Sequence, residues 1–359
     1  MAKQVRYLPI LWAKDGEYGA VRQLPSEIRE CMTPLLEIPP VPWNYAEDRP
    51  DRTIDQHLEK IASRIHKAWG IHDPVLLDFE WIDPAERLTD DSHPVTYVFR
   101  RARRLDIKLV PVVTLGRDAA YRTAVGATVR RDGRGACLRL QPDDLTDRQV
   151  SSKITDLLKD LSITPQMTDL LVDVRGIDAG TLERTGALVR EVSEAIPQLN
   201  AWRSFALAGT GFPNTLAGLP PQDISCIART EWALWRRLSR QRGMRRVPIF
   251  GDYGISSPAP PDVDPRIMQP SASVRYTSDN EWVVVKGRNL KDHGYVQFHD
   301  VCQRVLRVPE YSGRDFSWGD RYIYDCANRR ASRGNLTTWR KVGTSHHLTF
   351  VVDQLANAA

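Results

Sequence analysis

VLLDFEW, Val75–Trp81, follows Pro74 and is apolar except for two carboxylates, Asp78 and Glu80. A continuous apolar run of this length reads as a strand buried on both faces. Residues i and i+2 of a strand share a face. Asp78 and Glu80 therefore point the same way, at the C-terminal end of the run. Two carboxylates there are costly unless water, a cation or a hydrogen-bond donor reaches them.

Seven further runs of this kind recur along the chain, mostly with helical stretches between them. They are RYLPILWAK (Arg6–Lys14), TPLLEIPPV (Thr33–Val41), KLVPVVTLG (Lys108–Gly116), ACLRLQP (Ala136–Pro142), DLLVDVRGI (Asp169–Ile177), SFALAGTGF (Ser204–Phe212) and VPIFGDYGI (Val247–Ile255). Between them His57–Trp69 carries an apolar stripe (Leu58, Ile61, Ile65, Trp69), as does Thr181–Ala195 (Leu182, Leu188, Val189, Val192), and Thr230–Leu238 is rich in Trp and Leu. Eight buried strands linked by helices over about 255 residues predict a (β/α)8 TIM-like barrel spanning 1–256. An open doubly wound sheet is the alternative. It calls for a glycine-rich GxGxxG turn after the first strand, and WAKDGEYGAV is not one.

The pattern changes beyond the eighth strand. Ser256–Pro270 is proline-rich and irregular. Residues 272–288 read as a β-hairpin turning at Ser278–Asn280, 294–308 and 315–331 as helices, and 337–356 as a closing tail. This C-terminal extension, 257–359, is expected to pack on the barrel. The aromatic FSWGDRY (Phe316–Tyr322) reads as core or lid.

Composition sets outer bounds. The chain has 359 residues, 42% hydrophobic and 26% charged, typical of a globular protein. It has no apolar run long enough to span a membrane and no signal-peptide core, which predicts a cytoplasmic protein without a membrane partner. Five scattered cysteines (Cys31, Cys137, Cys226, Cys302, Cys326) form no CxxC pair and read as buried and inert. The net charge of +5 permits an anionic partner. Basic clusters at Arg100–Arg104, Arg130–Arg134 and Arg236–Arg246 read first as solvated faces and second as phosphate contacts.

In a TIM barrel the chemistry sits at the C-terminal strand ends. Here nearly every run turns polar at that end: Trp12 and Lys14, Glu37, Asp78 and Glu80, Thr114, Arg139 and Gln141, Asp173 and Arg175, Thr210, then Asp252 and Tyr253. One reading is a buried ion-pair network that fixes the barrel mouth, with little net stabilisation. The other is a site. The absence of His and Cys from these ends disfavours a His-rich zinc hydrolase. Carboxylates beside Arg and Lys suit an anionic, phosphorylated substrate. Mg or Mn would be held by Glu37, Asp78, Glu80, Asp173 and Asp252, while Arg139, Arg175 and Lys14 clamp phosphate oxygens and Trp12, Tyr253 and Gln141 complete the binding surface. A metal-free version uses one of Asp78, Glu80, Asp173 or Asp252 as base and Lys14 as acid. Glycoside chemistry would need more aromatic platforms than Trp12, Trp81 and Tyr253. His346 and His347 read as tail-docking residues, or as the missing acid/base if the tail folds over the mouth.

Several stretches together resemble the phage "beta protein" family: YLPILWAKDGEYGAV, TPLLEIPP, FGDY, and the tail DFSWGDRYI with TTWRKVGTSHHLTFVV. The most specific positions are Tyr7, Pro9, Lys14 and Glu17, then Gly251-Asp252-Tyr253, then the Trp339-Arg340 and His346-His347-Leu348 tail. The family takes its name from a bacteriophage protein. The resemblance implies a role in phage–host conflict, with a protein partner from the same defence locus. It implies no particular activity, cofactor or catalytic residue. Three functions stay open: an enzyme binding or hydrolysing a nucleotide or nucleic acid; a non-catalytic sensor of a phage component, nucleic acid or partner protein; and a structural subunit of an assembly.

Overall fold

The computed structural model describes residues 7–260 and 267–358. Eight parallel strands close into a barrel. In chain order β1 is Tyr7–Trp12, β2 Leu35–Glu37, β3 Val75–Asp78, β4 Leu109–Val113, β5 Ala136–Leu140, β6 Thr168–Gly176 and β7 Ser204–Thr210. A further strand, β8 (Ile224–Ala228), leaves the barrel, and β9 (Ile249–Asp252) closes it between β7 and β1. The closing registers pair Tyr7 with Phe250 and Trp12 with Glu37. The expected (β/α)8 barrel is therefore the fold.

The strands alternate cleanly. Leu8, Ile10, Leu35, Leu76, Val110, Val112, Cys137, Leu171, Ala206 and Ala208 form one buried cluster, the lumen. Their neighbours in sequence, including Tyr7, Leu11, Leu36, Leu77, Val113, Leu138, Leu170 and Phe250, pack outward under the helices. This period of two decides which polar residues can meet at the mouth.

The outer ring contains α1 (Asp15–Gln23), α2 (Ile61–Trp69), α3 (Pro94–Arg103), α4 (Ala119–Asp132), α5 (Val150–Leu161), α6 (Leu182–Ala195) and α7 (Thr230–Arg240). Local chemistry sets their ends. The Asp118 carboxylate accepts from the Ala120 and Tyr121 amides to open α4, and Gly133, at φ 64°, closes it. The stripe expected across His57–Trp69 is broken into Ile54–Leu58 and α2, with Leu58, Ile61, Ile65 and Trp69 all buried.

The extension has its own layers. Strands β10 (Ser271–Thr277) and β11 (Glu281–Asn289) form the antiparallel hairpin, and β8 adds to its other edge. The expected boundary at 256 is thus crossed: a strand from inside 1–256 belongs to the extension's sheet. Trp282 and Val284 face the barrel loops beside Phe212 and Ile255. Val283 and Val285 face α8 (Phe298–Val305) and α9 (Trp318–Ala327), where Phe298, Val301 and Ile323 complete a second core. Residues 261–266 of the proline-rich linker lie outside the described residues.

The tail is one helix, α10 (Leu336–Asn357), opened by Asn335, whose side chain accepts from the Thr338 amide. Its first half puts Trp339 and Val342 into the extension core. Its second half puts Leu348, Val351, Val352 and Leu355 into the barrel's outer layer. Glycines let it approach closely: a Cβ on Gly319 would sit 2.3 Å from the Val342 carbonyl oxygen, and one on Gly343 would sit 3.0 Å from the Arg275 carbonyl oxygen. Among the described residues no helix is long and apolar enough to cross a membrane. Cys226 is exposed, against the expectation that all five cysteines are buried.

Candidate functional site

Arg139, at the end of β5, is fully buried in the lumen. Its Nη1 donates to Asp78 Oδ2 at 2.6 Å and lies 2.8 Å from Glu37 Oε1 and 3.0 Å from Glu80 Oε2. Its Nε and Nη2 donate to Asp173 Oδ2 at 2.9 and 2.7 Å, and Nη2 also donates to the Tyr253 hydroxyl at 2.8 Å. Tyr253 in turn donates to Asp173 at 2.6 Å. One guanidinium therefore serves carboxylates from β2, from β3 and the residues just after it, and from β6. Strand parity explains the convergence: Glu37, Asp78, Glu80, Arg139 and Asp173 all continue lumen-facing rows.

Further side chains around this cluster reach the opening. Arg175 donates Nη2 to Glu80 and sets Nε 3.2 Å from Asp173, while among the described residues Nη1 meets the Pro258 carbonyl at 3.4 Å and Glu37 at 3.9 Å. The Glu80 and Arg175 side chains are 17% and 18% exposed, so the network meets solvent there. Arg175 sits at a register shift of β6 with φ 58°, a left-handed conformation that costs a non-glycine residue of order 1 kcal/mol or more. Gln141 donates to Glu80 at 2.8 Å. Arg117, in the loop after β4, donates to Asp78 at 3.3 Å and lies over the Tyr121 ring. Trp12 packs against Trp81 at 5.9 Å between ring centroids.

Burial sets the protonation states. It pushes the Glu37 carboxyl up to about 7, although Arg139 opposes the rise. Burial also pushes Asp173 up, but Arg139 and Arg175 more than offset it and hold that carboxyl below its usual range. Four carboxylates face three guanidinium groups, and a protonated Glu37 balances them. A carboxyl raised from 4.5 to about 7 by folding binds its proton more tightly when folded. Its contribution is full below pH 4.5 and is lost as pH rises through about 7. Glu37→Gln should therefore gain stability relative to the parent chain at pH 8 over pH 5, by about 3 kcal/mol. Urea denaturation of both chains at the two pH values checks this; an unchanged difference contradicts it.

Oxygens of Glu37, Asp78 and Glu80 lie within 4.8 Å of one another, close enough to share a cation. The cation between them is Arg139 Nη1. Mg or Mn would have to displace a guanidinium that also holds Asp173 and Tyr253, so the expected metal set does not fit this arrangement.

Two other expectations need correcting. Asp252 does not join the mouth. Phe250 and Asp252 face outward from β9, and Tyr253, the next residue, faces the lumen; adjacent residues cannot both do so. Lys14 also lies outside the network, exposed, with its Nζ 5.0 Å from the Trp12 ring centroid.

Asp252 belongs to a second buried network, between barrel and extension. Its Oδ1 accepts from the Tyr7 hydroxyl at 2.6 Å and the Gly254 amide at 2.9 Å, and its Oδ2 lies 2.9 Å from His347 Nε2. His347 Nδ1 lies 2.8 Å from Thr277 Oγ1. Burial pushes His347 below its usual value, so the ring is neutral, donating from Nε2 and accepting from Thr277. His346 pairs with Asp320 at 2.9 Å and stacks on Tyr276. The Asp252–His347–Thr277 arrangement resembles a hydrolytic triad, but all three residues are fully buried. It docks α10 on the barrel wall; neither histidine covers the mouth. Sequence reading picked out Tyr7 only as a motif position, without its partner Asp252, and missed Thr277 and Asp320, which lie in ordinary strand and helix positions, and Arg117, which lies in a loop.

Some members of the basic clusters are engaged locally: Arg100 with Asp90, Arg103 with Asp132, Arg134 with the Ile107 carbonyl, Arg237 with Glu183, and Arg246 with the Leu199 and Trp202 carbonyls.

The fold and the mouth define a closed (β/α)8 barrel whose strand ends carry a buried arginine–carboxylate network. A family model described as Beta protein matches residues 7–353, and the chain belongs to that family. No protein with a curated description matches the sequence. Among solved structures, an alanine racemase from Clostridium difficile 630 in complex with cycloserine is similar at 9% identity and a TM-score of 0.35. The match covers 77% of this chain and 59% of that one, so this chain spans about three fifths of its length.

Proposed function

We propose that the barrel mouth binds a phosphorylated ligand, a nucleotide or a nucleotide-like signal, and that this binding serves the role in phage–host conflict implied by the resemblance. The observation that carries the reading is Arg175. It is held in a left-handed backbone at the rim, with only long contacts to its Nη1 among the described residues. Arg117, held on Asp78, supplies a further donor suited to phosphate oxygens. Strained backbone that presents a charged side chain at a barrel mouth fits a binding role better than a stabilising one.

Recognition without turnover is the form favoured here. Asp78 and Asp173 are both tied to Arg139, which leaves neither free as a nucleophile. Glu37, poised near neutrality, is the one mouth carboxyl suited to proton transfer, and it carries the alternative reading of phosphoester hydrolysis.

A thermal-shift panel of nucleotides and phosphosugars tests the proposal, because a ligand that binds only the folded state raises the melting temperature. At least one phosphorylated ligand should shift the parent chain, and Arg175→Ala should weaken its binding tenfold or more by calorimetry. Equal affinity in both chains, or no shift by any phosphorylated ligand, rejects it.

A further inference from the structure

A second basic site lies far from the barrel mouth in the chain, on the extension. A cavity of about 580 Å³ opens between the end of β11 and α8, within the ~300–1,000 Å³ range of small-molecule sites. Arg288 enters it from β11, Arg304 from α8 and Arg329 from just beyond α9. Among the described residues none of the three pairs with a carboxylate, and Arg304 donates to the Lys286 carbonyl at 3.1 Å. His299 also lines the cavity, with Nδ1 held 2.7 Å from the Cys326 carbonyl. Asp300 is the one carboxylate on the wall. Two rim residues, Gln222 and Arg329, adopt left-handed backbone at φ 58° and 59°.

Three guanidinium groups line one hollow against a single wall carboxylate, Asp300, so the lining carries a net positive charge. They come from three elements and face a common space. They do not run along one helix as a stripe. That convergence suits a compact polyanion rather than an extended nucleic-acid backbone, and guanidinium forks match phosphate oxygens bidentately. We infer that the cavity lined by Arg288, Arg304 and Arg329 binds a compact oligophosphate, such as inorganic tripolyphosphate or the phosphate chain of a nucleoside triphosphate.

The test is calorimetric titration of tripolyphosphate and ATP into the full chain at low salt. Arg288 and Arg329 are exposed, so Arg288→Ala and Arg329→Ala are expected to fold normally, which circular dichroism verifies. Each should weaken tripolyphosphate binding tenfold or more, and the binding that remains in Arg175→Ala should still be lost on adding Arg288→Ala or Arg329→Ala. That last arm separates this site from the barrel mouth. Absence of binding, or a loss seen only in Arg175→Ala, overturns the inference. So does a single-stranded oligonucleotide that binds the parent more tightly than either oligophosphate, with steep salt dependence.

Discussion

Arg139→Met should be the most damaging single change at the barrel mouth. Removing one partner of a buried ion pair costs about 3–5 kcal/mol, because the group left behind stays buried and charged. Here one guanidinium lies within 3.0 Å of oxygens from Glu37, Asp78, Glu80 and Asp173. Part of the loss is recovered if Glu37, already near neutrality, takes up a proton fully. Asp173 has no such escape without abandoning the Tyr253 hydroxyl and Arg175. The urea midpoint of Arg139→Met should fall by an amount equivalent to at least about 3 kcal/mol, or the chain should fail to fold. Arg139→Lys keeps the charge but not the fork. It can serve one side of the cluster at a time, and its midpoint should lie between the two. A Met variant as stable as its parent would mean that the carboxylates are held apart by something other than Arg139.

This network shows what sequence can and cannot announce. Asp78, Arg139 and Asp173 were legible because strand period and polar strand ends are both written in the chain. That their shared cation is an arginine, and not a metal, depends on the reach of one side chain across the lumen. Arg139 spans from β5 to Glu37 on β2, a distance no local pattern encodes. Asp252 failed for a simpler reason. Parity along β9 turns on where the strand ends, and the GDY triplet puts Asp252 and Tyr253 on opposite faces. The histidine pair was readable as docking residues, but its partners Tyr7, Thr277 and Asp320 lie in elements far apart in sequence, and only the fold joins them. Strand β8 was missed because none of its residues is fully buried and it serves the sheet of a later segment.

His347→Leu should loosen the joint between barrel and extension. The variant leaves the Asp252 carboxylate fully buried, with only the Tyr7 hydroxyl and the Gly254 amide to satisfy it, and leaves Thr277 without its ring partner. Loss of a donor to a buried charge costs about 3 kcal/mol, read as a lower urea midpoint. His347→Gln keeps an N–H donor near Asp252 and should recover part of it. The pH signs agree with this assignment. Burial lowers His347, so its neutral form favours folding; that contribution is intact above the unfolded value of 6.5 and is lost as pH falls from there toward the folded value. Asp252 is pushed up by burial but held below its usual range by His347 and Tyr7, so its contribution disappears only at lower pH, as pH falls through its folded value. Between pH 7.5 and 5.5 the parent should therefore lose more stability than His347→Gln. The other titrating groups are common to both chains and cancel in the difference. A parent that instead gains stability relative to His347→Gln as pH falls through that window would place a charged imidazole in the folded joint and make the pair an ion pair rather than a neutral hydrogen bond.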